Sequence, residues 1–72
     1  MPNMTNQQKL DAIVEQKRQY NKDYAEELSG MNVEVDIGLD TDDNGDIKSA
    51  VIRMIYSKSG RPVPGYDRQV KF

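Results

Sequence analysis

The sequence predicts an α+β fold: one long N-terminal helix packed on a three-stranded antiparallel β-meander (α-β-β-β), in a chain expected to be oligomeric. Three observations point there. Apolar residues recur at helical spacing over residues 5–29. They alternate strictly over residues 32–39. The rest of the chain is broken by turn residues at Asn44-Gly45 and again between Gly60 and Gly65.

The helix is signalled at both ends. Thr5-Asn6-Gln7-Gln8 fits a capping box, in which the Thr5 hydroxyl accepts from the Gln8 amide and the Gln8 side chain reaches back. Leu10, Ile13, Val14, Tyr20, Tyr24 and Leu28 form one stripe on a polar cylinder. Ser29-Gly30 ends it, with Gly30 expected in the left-handed C′ position. Glu26 and Glu27 would then sit at the negative end of the helix dipole, so the helix must be held by burial of its stripe. Uninterrupted, it would run about 36 Å and overhang a small sheet. That overhang predicts a homo-oligomer with Leu10, Ile13, Tyr20 and Tyr24 at the interface.

The first strand places Val33, Val35, Ile37 and Leu39 on one face and Asn32, Glu34, Asp36 and Gly38 on the other. Residues 47–57 fit either helical or strand spacing. Val51, Ile52, Ile55 and Tyr56, with a turn signal just upstream, favour a strand. Residues 57–65 read as a loop, because Pro62 and Pro64 have no amide to give to a ladder. Tyr66, Arg68, Val70 and Phe72 alternate against Asp67, Gln69 and Lys71, which predicts a third, edge strand. Residues 1–4 read as a flexible leader and 5–72 as a single small domain.

A chain of 72 residues has a thin core, here with 36% apolar residues and a mean hydropathy of −0.83. It contains no Cys and no His, which removes disulfides, zinc sites, thiol nucleophiles and imidazole bases together. No apolar run reaches transmembrane length and no apolar signal core begins the chain, so a cytoplasmic location with no membrane partner is expected. Charge is unevenly distributed. Residues 31–46 carry six acids and no base, whereas residues 47–72 carry six bases against Asp67 alone. Neighbouring strands that neutralise each other account for this most simply.

Four carboxylates crowd Asp40-Thr41-Asp42-Asp43-Asn44-Gly45-Asp46. Over residues 40–47 this stretch resembles the first half of an EF-hand calcium loop, with Asp40, Asp42, Asn44 and Asp46 as weak metal candidates. Val51 stands where the closing bidentate glutamate belongs, and the flanks alternate as strands do. The favoured reading is a polar hairpin turn in which Asn44-Gly45 supplies positive φ values.

The remaining candidates are basic. Lys58, Ser59, Gly60, Arg61, Tyr66, Arg68 and Lys71 combine guanidinium forks, a Gly-containing turn and an aromatic face suited to an acidic partner or an anion. The acidic whole chain (pI 4.9) argues against a duplex-DNA binder. No acid has an evident reason for a shifted pKa, and no serine has a histidine, so an enzyme is not expected and no cofactor is implied. The expectation is a non-enzymatic, homo-oligomeric protein that binds another protein, of the accessory or inhibitor type known from bacteria and phages. The alternative is a small anionic, nucleotide-like ligand held between subunits.

Overall fold

A computed structural model describes residues 4–72; the leader expected over residues 1–4 lies outside them except for Met4. Two helices, α1 (Asn6–Asp23) and α2 (Ala25–Gly30), precede strands β1 (Val33–Thr41), β2 (Ile47–Tyr56) and β3 (Arg68–Lys71). The strands form one antiparallel sheet in the order β1-β2-β3, and the helices cover one face of it. The expected helix-plus-meander architecture is therefore present.

The capping box forms as read: the Gln8 amide donates to Thr5 Oγ1 at 3.2 Å, and the Thr5 amide donates to Gln8 Oε1 at 2.8 Å. The far end differs. The helix breaks at Tyr24 (φ −117, ψ 25), although no Pro or Gly lies there. Aromatic packing accompanies the break. The Tyr24 ring lies 4.7 Å from that of Tyr20 and meets the Tyr66 ring edge-on at 5.2 Å, while Leu28 one turn later joins the same core. The break also relocates charge: Glu26 and Glu27 fall in the first turn of α2, where the helix dipole favours acids. Gly30 closes α2 without a positive φ, and Met31 continues in extended geometry, so the left-handed cap expected at Gly30 is absent.

These differences remove the length argument for an overhang. An α1 of 18 residues spans about 27 Å, and strands of nine and ten residues span about 30–33 Å. The helix fits on its own sheet.

Two apolar clusters join the layers. Tyr20, Ile52, Met54 and Val63 are buried together, with Leu28, Val33 and Val35 around them. Ile13 packs with Ile47 and Ala50 between Ile37 and Val70. Val63 comes from the segment read as a loop. That segment instead follows β2: Pro62 bridges Ile55, the Val63 amide donates to the Met54 carbonyl at 2.8 Å, and the Arg61 carbonyl accepts from Tyr56 at 2.9 Å. Proline is tolerated there because its neighbours carry the ladder bonds. Gly65 (φ 87) then turns the chain into a β3 shorter than expected.

On the open sheet face, Asp36 and Arg53 are cross-strand partners, with Arg53 Nε 3.1 Å from Asp36 Oδ2. The guanidinium lies over Gly38, where a Cβ would collide with it. Glycine at 38 thus lets a long polar side chain lie flat across the sheet.

Candidate functional site

The basic residues do not converge. Arg68, expected to project outward, turns back onto the helix: it donates to Asp23 Oδ2 at 2.8 Å and lies over the Tyr20 and Tyr24 rings at 5.4 and 5.9 Å. Its position in β3 opposite Ile52 brings it under α1, so the apolar alternation that suggested an exposed edge instead places it on the helix-facing side. Lys58, Ser59 and Arg61 share one exposed turn, in which the Arg61 amide donates to Ser59 Oγ at 3.3 Å. Lys71 pairs with Ser49, six residues along β2 from Ile55 beside that turn, which is about 20 Å. Tyr66 is held by its ring contact with Tyr24 and by its carbonyl, which accepts from the Tyr20 hydroxyl at 2.7 Å.

The three groups with displaced pKa values all belong to this helix–sheet clamp. The hydrogen bond from Arg68, helped by Gln19, holds the Asp23 carboxyl below its ordinary value. The same bond raises Arg68. Burial, followed by the nearby Tyr24 and Asp67, raises Tyr20. All three shifts arise from contacts within the chain's own fold.

In the acidic turn, Asp42 Oδ1 accepts from the Asn44 amide at 2.9 Å and from the Asp46 amide at 3.0 Å. Gly45 (φ 82) alone takes a positive φ; Asn44 does not, so the turn is a three-residue loop with a left-handed glycine and not a two-residue reversal. One carboxylate oxygen of Asp42 is thereby engaged by two backbone amides. Among the described residues no group of three or more acids is arranged to hold a metal ion.

Of the interface candidates, Ile13 and Tyr20 are buried in the chain's own core and Tyr24 is half-buried. Leu10 remains 38% exposed, and Val14 and Leu39, which sequence reading did not single out, are 56% and 49% exposed. Helical spacing and strand register put all three on one side. Lys9 reaches Phe72, and Asp23 reaches Arg68, so one flank of α1 faces β3. Leu10 and Val14 occupy the opposite flank by helical spacing, toward β1. Leu39 pairs with Ala50, which touches Ile13, and so lies level with them.

Beside this flank runs the free edge of β1. The Ser57 amide donates to the Asn32 carbonyl at 3.0 Å, which makes that pair a hydrogen-bonded one. Alternation then directs residues 34, 36, 38 and 40 toward β2. The amides and carbonyls of Val33, Val35, Ile37 and Leu39 face outward, with no partner among the described residues. The clue in the sequence was a long strand without Pro or Lys, the residues that usually guard an edge.

No family model, curated protein or solved structure matches the chain.

Proposed function

We propose that this chain is a non-enzymatic interaction protein that holds another protein against the β1 side of its helix–sheet layer, as an accessory or inhibitor protein would. What carries this reading is the exposure of Leu10, Val14 and Leu39, which helical spacing and strand register place on the side of the unpaired strand β1. Apolar side chains aligned with free backbone donors and acceptors supply both the burial and the hydrogen bonding that a partner chain needs. A nucleotide-like ligand is less well supported, because Arg68 is engaged with Asp23 and Lys71 lies far from Arg61.

The test is affinity capture with the wild type and with a Leu10→Asp, Val14→Asp double variant, both checked by mass in solution. Both side chains lie outside the two buried clusters, so the variant should still fold cooperatively, with a melting temperature lowered by several degrees for the area that Leu10 and Val14 do bury. A specific protein retained by the wild type and lost by the variant supports the reading. Retention by both refutes it. A wild-type mass well above 8.2 kDa that falls in the variant assigns the flank to self-association instead.

A further inference from the structure

Resting on that protein-binding reading, we propose that β1 takes up an extended partner segment as a fourth strand, and that the segment alternates apolar residues with lysine or arginine. Three features of the edge specify this occupant.

The first is availability. The two edges of the sheet are unlike. β3 is four residues long, carries Arg68 and Lys71, and is preceded by Pro62, which bridges Ile55, and by a turn at Pro64-Gly65. β1 is nine residues long, has no Pro and no basic residue, and presents the outward amides and carbonyls of Val33, Val35, Ile37 and Leu39. A strand added there forms a regular ladder without moving the fold.

The second is the apolar side. A fourth strand would point every second side chain toward the helix layer. These would cover Leu39 and meet Leu10 and Val14, whose exposure is otherwise unexplained by the chain's own core. Apolar residues are needed at those positions.

The third is charge. The opposite side chains of the added strand would stand beside Glu34, Asp36 and Asp40. Asp36 is paired with Arg53, whereas Glu34 and Asp40 are exposed and have no ion pair among the described residues. Lysine or arginine at alternate positions matches them. The same charges argue against a second copy of β1. Antiparallel pairing centred on Ile37 sets Glu34 against Asp40. A centre one residue earlier opposes Asp36 to itself, and one residue later opposes Asp36 to Asp40. The acids thus guard the edge against copies while inviting a basic strand.

The probe is a nine-residue synthetic peptide alternating valine and lysine, compared with a valine–glutamate peptide and with a peptide of the same valines and lysines in two blocks. A fourth peptide carries N-methyl groups on the amides that would bond to β1. Titration followed by amide exchange should show the alternating lysine peptide binding at least tenfold more tightly than the other three. It should also slow exchange at Val33, Val35, Ile37 and Leu39. In the Glu34→Lys, Asp40→Lys variant the preference should pass to the glutamate peptide. Because this variant keeps all core residues, its folding is checked independently by its melting curve, and the N-methylated peptide tests the same claim on the unaltered protein. Equal binding of the alternating, block and N-methylated peptides overturns strand addition, as does unchanged exchange at those four amides. If that happens while the Leu10, Val14 variant still loses a captured protein, the protein-binding reading stands and only the strand mode fails.

Discussion

Arg68 joins three weak interactions at one point: an ion pair with Asp23 and two contacts with tyrosine faces. Its side chain is 29% exposed, so the tyrosine rings shield much of the guanidinium that pairs with Asp23. Arg68→Ala should lower the melting temperature by roughly 5 °C, the shift that about 1 kcal/mol produces in a domain this small, while Arg61→Ala should leave it unchanged. Two pH effects follow from the same cluster. Asp23 has a lowered pKa in the folded chain, so its contribution is present above the ordinary carboxylate value and is lost as pH falls through the lowered one. The melting advantage of the wild type over Asp23→Asn should therefore vanish in acid. Tyr20 has a raised pKa, so its contribution is complete below about pH 10 and is lost as pH rises through the raised value. Tyr20→Phe should be less stable at neutral pH by about 1 kcal/mol, because it loses the bond to the Tyr66 carbonyl, but its alkaline limb should be flatter. Melting curves from pH 2 to 11 on these variants check both signs. That Arg68 would fold inward was not readable from the sequence, since alternation assigns a residue to a face without saying which face carries a helix.

Elements repeat this pattern of legible local chemistry and hidden tertiary choice. The capping box, the alternation of β1 and the strand character of residues 47–56 were all present in residue order, because each depends on neighbours within a few positions. The break at Tyr24 was not, since the ring contact that accompanies it involves Tyr66, far along the chain. Nor was the burial of Val63, which depends on a bridge between Pro62 and Ile55. Two glycines that look alike in sequence consequently differ. Gly30 has no positive φ and open space around its Cα, so Gly30→Ala should stabilise the chain by about 0.5 kcal/mol through the unfolded state. Gly45 has φ 82, so Gly45→Ala should destabilise it by about 1 kcal/mol. Denaturant midpoints at constant slope measure both, and equal effects would contradict the assigned backbone geometry.

At the scale of the molecule, the described chain is a slab of 42 × 23 × 17 Å with a radius of gyration of 13.5 Å, larger than the about 11 Å of a compact chain of this length. A two-layer slab with one helix over the middle strand leaves the margin of β1 uncovered. Composition indicated a thin core, and charge counting located the acids at residues 31–46. The expected meander already made the first strand an edge, but nothing in residue order showed that the helix layer leaves that edge uncovered, because this depends on how α1 sits over the sheet. Among the described residues no helix is long and apolar enough to cross a membrane. The central claim is that β1 is an acceptor strand, and amide hydrogen exchange reads it directly. In the free protein the amides of Val33, Val35, Ile37 and Leu39 should exchange much faster than those of Glu34, Asp36 and Gly38, which bond to β2. With the valine–lysine peptide bound, the two sets should become similarly slow. An unchanged alternation in the presence of saturating peptide would contradict the claim.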